Sequence, residues 1–208
     1  MKRTAFSMLE LVVIIVVVGI LSVNLIPAMD RDQAAEAAYQ IARHIRLTQH
    51  HALIEDRTGA DATNGDSWED TLWRITFVNG TEGNCYRVFA DRSGQGNADT
   101  NETAVDPLTR KRLNAGSTCA AGSTVPDEIL LWKSYGVTSV TLQGGCTAAS
   151  NIAFDHLGRP GQISGNTMNF LTSDCNVHIE TNDGHDADIL ITEETGYVDV
   201  TAVDGIAI

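Results

Sequence analysis

The amino-acid sequence predicts an α+β protein in which a long N-terminal helix packs against a mainly antiparallel β-sheet domain. Two observations predict this class. An apolar run at residues 6–29 is followed by a helical pattern that extends to about residue 58. Short strand-like segments, separated by clusters of Gly, Asn and Asp, then fill the rest of the 208-residue chain. The connections between these segments look too short for helical crossovers, which favours antiparallel pairing.

The apolar run has the length of a membrane-spanning helix, which needs about 20 apolar residues. Between Phe6 and Met29 the one ionisable side chain is Glu10. Lys2 and Arg3 precede the run, and bases in this position favour a cytoplasmic N-terminus with the rest of the chain outside. A cleaved secretory signal and a plain signal anchor are the alternatives, although no A-x-A cleavage site follows the run.

Glu10 distinguishes the run from a plain anchor. A carboxylate inside an apolar span costs about 2.5–3.5 kcal/mol on insertion scales, so it needs a partner or a purpose. No basic residue follows it within the span. An amine created by cleavage just before Phe6 would lie about one helical turn from Glu10, and it would also be able to face Glu10 of a neighbouring subunit.

Residues 5–11, AFSMLEL, followed by VVIIVVVGIL, resemble the prepilin signature of type IV pilins and pseudopilins. The resemblance implies cleavage by prepilin peptidase between Ala5 and Phe6, N-methylation of Phe6, and an assembly role for Glu10. Glycine usually precedes the cut in this family, and Ala5 stands there instead; as the smallest alternative, it is expected to permit processing. The implied organisation is a leader at 1–5, a transmembrane and filament-core helix at 6–29, its amphipathic continuation at 30–58, and a periplasmic domain at 59–208.

The amphipathic half begins after Pro27, which is expected to kink or loosen the helix. The residues that recur at three- and four-residue steps, with two flanking positions, are Ala34, Ala38, Ile41, Ala42, Ile45, Thr48, Ala52 and Leu53. This stripe predicts a core face made largely of alanine, with the helix ending near Thr58. His44, His50 and His51 lack the spacing of metal ligands and are predicted to be surface or interface residues.

The globular domain is predicted to open with a hairpin. Apolar and polar residues alternate at 73–77, an Asn79-Gly80 turn signal follows, and a second strand covers 86–89. Later strands are predicted at 129–135, 137–142, 151–154, 168–171, 176–180, 188–192 and 197–200. The acidic run at 183–188 is predicted to be a turn between strands.

This domain is similar to H-type pseudopilins and FimT-like minor pilins. The motif positions that carry the similarity are Ile152, Phe154, Gly158, Arg159, Thr192 and Gly196. The resemblance implies a structural minor subunit of a type II secretion pseudopilus or type IV pilus that supports protein secretion. It also implies an inner-membrane location with a periplasmic domain. The implied partners are other pilin or pseudopilin subunits, prepilin peptidase, the inner-membrane assembly platform and membrane lipid.

Composition bears on two other classes of function. The net charge of −13 argues against nucleic-acid binding, because an acidic surface repels phosphate. A minor pilin that captures DNA is one alternative, yet the tail after Gly196 carries Asp199 and Asp204 and no Lys or Arg. A membrane-anchored enzyme is the other, yet the sequence has no G-x-S-x-G, H-E-x-x-H or phosphate-binding glycine loop, so we expect no enzyme activity.

The four cysteines are Cys85, Cys119, Cys146 and Cys175, and none forms a C-x-x-C pair. An even number in an exported domain suggests two disulfides, with three connectivities open. Proximity in the sequence favours Cys85 with Cys119 and Cys146 with Cys175. Buried free thiols are the alternative.

A loop at residues 91–102 is rich in oxygen ligands and is a candidate Ca²⁺ site. Its candidate ligands are Asp91, Asn97, Asp99, Asn101 and Glu102. The spacing departs from the EF-hand pattern, because Ser93 and Gln95 replace stronger ligands. Major pseudopilins use calcium, which the resemblance makes relevant here. The alternative is a solvated, Gly-rich turn loop, and no other cofactor is expected.

Overall fold

The computed structural model describes residues 8–25, 32–57, 59 and 67–208, and these divide into two compact units. The first unit, Met1–Asp32, contains helix α1 at Met8–Leu25. The second unit, Gln33–Ile208, contains helix α2 at Gln33–Ile54 and all the strands that the structure describes. Pro27 and the leader at residues 1–5 lie outside the described residues, as do Phe6, Thr58 and residues 60–66.

Ten strands follow α2 in the second unit. They are β1 Trp73–Asn79, β2 Asn84–Ala90, β3 Val137–Gly144, β4 Asn151–Phe154, β5 Pro160–Ser164, β6 Thr167–Phe170, β7 Cys175–Thr181, β8 Asp186–Ile191, β9 Val198–Val203 and β10 Ile206–Ala207. Two 3₁₀ helices at Trp68–Thr71 and Asp127–Ile129 and a short helix α3 at Leu131–Ser134 complete the described elements.

The strands form two five-stranded sheets in which every pairing is antiparallel. The first sheet has the order β2-β1-β4-β5-β6, and the second has the order β10-β9-β8-β7-β3. The prediction of an α+β domain with antiparallel strands is therefore confirmed. The number of sheets was not apparent from the sequence, which led us to expect a single one.

Helix α2 packs against both sheets through one face. Its buried residues are Ala34, Ala37, Ala38, Ile41, Ala42, His44, Ile45, Thr48 and Ala52. Ala, Gln, Leu and Arg, all strong helix formers, dominate its sequence, and the small alanines let strands approach closely. The predicted stripe is confirmed apart from Leu53, which is 51% exposed. The helix ends at Ile54, a few residues before the predicted end.

The hairpin of β1 and β2 is confirmed, with Trp73 opposite Ala90 and Asn79 opposite Asn84. In its turn the Gly80 amide donates to the Gly83 carbonyl at 2.9 Å. Thr118 of the following long loop lies against this turn so closely that a Cβ at Gly80 would be 2.5 Å from its carbonyl atoms. Glycine is therefore required at position 80 by close approach of a second backbone.

One predicted strand does not form, and strand β5 was not predicted. Residues 129–135 do not form a strand, because Leu131–Ser134 is helical and Ile129, Leu130 and Leu131 are buried together. A short, continuous apolar run has no period that separates a buried strand from a buried helical turn. The strand β5, Pro160–Ser164, was missed because proline and glycine open it and a buried polar residue, Gln162, sits in its centre.

Candidate functional site

The side chains at residues 8–18 of helix α1 are all exposed, and they are apolar apart from Glu10. Leu9 is 76% exposed, Val12 53%, Ile15 62% and Val18 55%. Glu10 lies in the first turn and is also exposed. An apolar helix with exposed side chains all round requires a covering of lipid or of other helices. No helix among the described residues combines the length and apolar character needed to cross a membrane.

Ala5 and Phe6, the predicted cleavage and methylation positions, lie outside the described residues. Of the three residues predicted to direct processing and assembly, Glu10 alone has a described position. It lies in the first turn of the described part of α1.

Two glycines from the weak domain motifs meet at α2. The Gln49 side-chain amide donates to the Gly158 carbonyl at 2.9 Å and to the Thr195 carbonyl at 3.0 Å. A Cβ at Gly196 would lie 2.6 Å from the Gly158 carbonyl oxygen, and both glycines have positive φ. The two motifs, 38 positions apart in the sequence, therefore fasten two loops to one side chain of the helix.

Both disulfides are present with the pairing favoured by proximity. Cys85 bonds to Cys119 and Cys146 bonds to Cys175, and no cysteine is free. The first bond ties strand β2 to the long loop between residues 90 and 127, and the second ties the loop after β3 to the start of β7. Each bond closes a chain loop of about 30 residues, which limits the freedom of the unfolded chain.

The candidate calcium loop is organised by its two buried acids. Asp91 accepts hydrogen bonds from the Gln95 amide at 3.1 Å and the Gly96 amide at 2.6 Å. Glu102 accepts from the Ser93 amide at 2.7 Å. All four carboxylate oxygens of these acids accept from protein donors, so the loop is held by its own backbone.

The other three candidate ligands, Asn97, Asp99 and Asn101, are exposed. Within the described chain, the acids of this loop do not bring three ligand atoms together as a metal-binding group does. Calcium binding by this loop stays a prediction.

Asp91 also faces a buried arginine. Arg74, whose side chain is 8% exposed, donates to Asp91 at 3.2 Å and lies 3.7 Å from Asp70. Its guanidinium carbon is 4.7 Å from the centre of the Phe89 ring. Burial lowers the pKa of Arg74, and the two carboxylates oppose that effect, which keeps the guanidinium charged and paired.

His44 was predicted to be a surface or interface residue, and this prediction is wrong because the side chain is fully buried in the core-facing side of α2. Its Nδ1 is 2.6 Å from the Tyr86 hydroxyl, and its Nε2 is 3.1 Å from an Arg43 nitrogen. Arginine can only donate, so Nε2 accepts and the proton of the neutral ring lies on Nδ1. Asp106 accepts from Arg43 at 3.1 Å and completes a polar cluster between α2 and the long loop.

Burial lowers the pKa of His44 to about 4, and the charge of Arg43 acts in the same direction. The unfolded chain therefore binds this proton first as the pH falls, so the stability that neutral His44 contributes is complete above pH 6.5 and is lost as the pH falls to about 4. The difference corresponds to about 3 kcal/mol in the free energy of unfolding.

This loss is checked by urea unfolding of residues 33–208 at several pH values. His44→Gln should remove the corresponding part of the slope between pH 6.5 and 4, because it leaves the carboxylates unchanged and does not titrate. Parallel pH profiles for the two proteins would contradict the assignment.

One cluster of ionisable side chains, on strands β7 and β8, was not predicted from the sequence. His178 on β7 lies 2.8 Å from Asp188 on β8, and Asp186 is close to both. Partial burial lowers the pKa of His178, but the hydrogen bond that its ring donates to Asp188 and the charges of Asp188, Asp186 and Glu180 outweigh it and raise the pKa above its usual value. The acidic run at residues 183–188 was predicted to be a turn; its first part turns the chain after β7, but residues 186–188 already belong to strand β8.

Comparison with known proteins gives no family assignment. No protein-family model, no curated protein and no solved structure matches the chain.

Proposed function

We propose that this chain is a structural minor subunit of a type II secretion pseudopilus or type IV pilus. Prepilin peptidase removes residues 1–5, Phe6 is N-methylated, and the helix assembles with those of other subunits to support protein secretion. The observation that carries the proposal is helix α1, whose side chains at residues 8–18 are all exposed and are apolar apart from one carboxylate, Glu10.

The physical argument rests on the two ways in which such a helix can be covered. Removing an exposed valine, leucine or isoleucine side chain from water is favourable by about 1.5–3 kcal/mol, so the helix surface is covered either by lipid or by other helices. Before assembly the same surface is covered by lipid of the inner membrane, since residues 6–29 carry one ionisable side chain in 24. The same apolar helix surface thus serves as the membrane anchor before assembly and as part of the filament core after it.

Glu10 gives this assembly its register. In an apolar filament core a carboxylate is costly to bury, and a nearby positive charge offsets the cost. The amine of a processed Phe6 on an adjacent subunit supplies this charge. A subunit that is displaced along its neighbour loses the pair, so the interaction favours one arrangement of helices.

The architecture and the disulfides of the globular unit support the proposal. One alanine-rich helix face lies on two antiparallel sheets, and two disulfides fasten the long loops, as suits an extracytoplasmic domain carried on a filament. The motif glycines Gly158 and Gly196, which carry part of the resemblance, converge on Gln49 of α2.

The two alternative functions have less support. For DNA capture, the tail strand β9 carries Asp199, and Asp204 after it pairs with His185 at 2.7 Å, so this end of the chain is acidic. For an anchored enzyme, the buried His44 and Tyr86 point at each other inside the core rather than at a substrate.

Co-sedimentation with filaments tests the proposal. The full chain is expressed with a complete pilus or pseudopilus system, filaments are sheared from the cells or overproduced, and their subunits are identified by mass spectrometry. We expect the chain to co-purify with the filaments in substoichiometric amount. Its complete retention in the dispersed membrane fraction, while the other minor subunits enter the filaments, would contradict the proposal.

A further inference from the structure

Four ionisable side chains form a square on the outward face of the second sheet. His178 on β7 is paired with Asp188 on β8, and Glu180 is paired with Asp186 two residues further along. The intervening residues, Val177, Ile179, Ala187 and Ile189, are fully buried and face the core. Because side chains alternate along strands, the strand register brings these four polar groups together on the other face.

The distances within this square are short. His178 Nδ1 lies 2.8 Å from Asp188 Oδ1, and Nε2 lies 3.7 Å from Glu180 Oε1. One ligand atom each from His178, Asp186 and Asp188 lies within 4.8 Å of the other two, and this is the one such group among the described residues. Two tetrahedral ligands about 2.1 Å from one ion lie roughly 3.4 Å apart, so small side-chain rotations would bring these atoms to the spacing of a single site.

An additional polar group orients the ligands. The Asn176 side-chain amide donates to Asp188 Oδ1 at 2.9 Å, which fixes the position of that carboxylate. Asn176 Oδ1 is buried and accepts no hydrogen bond within the described structure. Supporting hydrogen bonds of this kind are typical around metal ligands.

The charges also favour a cation. Three carboxylates surround one imidazole, and in the described part of the chain no lysine or arginine forms an ion pair with Glu180, Asp186 or Asp188. The site borders a cleft of about 430 Å³ that is lined by His178, Glu180 and Asp186. A divalent ion would neutralise the excess negative charge and would be reached from solvent.

We propose that His178, Asp186 and Asp188 bind one divalent transition-metal ion of the zinc class, with Glu180 beside it. Imidazole and carboxylate together suit Zn²⁺, whereas Ca²⁺ and Mg²⁺ prefer sites built from oxygen alone. Three protein ligands leave one tetrahedral position open to solvent. The site lies on the side of the sheet opposite the core, so it adds a function to the filament subunit without altering its fold.

Isothermal titration calorimetry tests the site. The full chain in detergent micelles is treated with EDTA, exchanged into metal-free buffer and titrated with ZnCl₂. We expect one ion per chain, with His178→Ala and Asp188→Ala each weakening binding by about 100-fold and Asn176→Ala by about 10-fold. CaCl₂ should bind far more weakly than ZnCl₂.

The matched control is His185→Ala, since His185 is exposed, lines the same cleft and pairs with Asp204 at 2.7 Å. Its zinc affinity should stay within about twofold of that of the unchanged protein. Circular dichroism confirms that each variant is folded, and Asp186→Asn replaces any variant that is not. Unchanged zinc affinity in folded His178→Ala, or equal losses in His185→Ala, would overturn the proposal. Neither result bears on filament assembly.

Discussion

Glu10→Ala is expected to prevent the chain from entering filaments while its leader is still removed. Truncating one partner of a buried charge pair costs about 2 kcal/mol or more. About 2 kcal/mol corresponds to roughly a 30-fold change in an equilibrium. Quantitative immunoblotting of purified filaments should therefore show at least about 30-fold less of the variant, at equal amounts of processed protein in the membrane.

Glu10→Gln and Leu11→Ala separate charge from packing in this experiment. Glutamine keeps the size of the side chain and removes its charge, so it should fail as alanine does. Leu11→Ala shortens an apolar neighbour, 54% exposed on α1, and should reduce incorporation much less. Normal incorporation of Glu10→Gln would show that the charge has no role in assembly.

Asp91→Ala is expected to destabilise the globular unit by about 3 kcal/mol or more, the range for removing one partner of a buried ion pair. The side chain of Asp91 is 2% exposed and pairs with Arg74 at 3.2 Å. It also accepts from the backbone of the loop at Gln95 and Gly96. Its removal leaves Arg74 with Asp70 alone, at 3.7 Å, and frees the loop. Urea unfolding of residues 33–208 measures the change.

Asp99→Ala is the matched control, because Asp99 belongs to the same loop and is exposed. It should change the unfolding free energy by less than about 0.5 kcal/mol. Repeating both measurements with Ca²⁺ and with EDTA separates the two views of the loop. A calcium-dependent stability that both substitutions abolish would support the ion site. A large effect of Asp91→Ala that does not depend on calcium supports the buried ion pair.

The elements that the sequence predicted well are those with a clear period. The alternation around Trp73 and the turn at Asn79-Gly80 predicted the first hairpin, because period-two patterns and turn residues are local signals. The alanine stripe of α2 is likewise a local signal, and it lies buried as expected. The disulfide pairing followed from proximity, which here coincides with the spatial arrangement of the loops.

The features that could not be predicted depend on residues brought together over long distances. His44 follows the helical period closely enough to face the core, but its partners Tyr86 and Asp106 come from distant segments. Histidine on a helix gives no sign of such partners. The sequence therefore could not distinguish a buried, neutral imidazole from a surface residue.

The metal site was missed for a similar reason. His178 and Asp188 are ten residues apart, and they are neighbours only because of the register between β7 and β8. The sequence placed both residues in strands. A one-residue change in register would have put these side chains on opposite faces, so the cluster became visible only when the pairing was known.

The intact mass of the protein extracted from its native membrane decides whether the mature chain begins at Phe6. We expect a mass that lacks residues 1–5 and includes one added methyl group, located on Phe6 by fragmentation. A native protein that retains Met1 to Ala5 would refute the proposed function, because no amine would then be available beside Glu10.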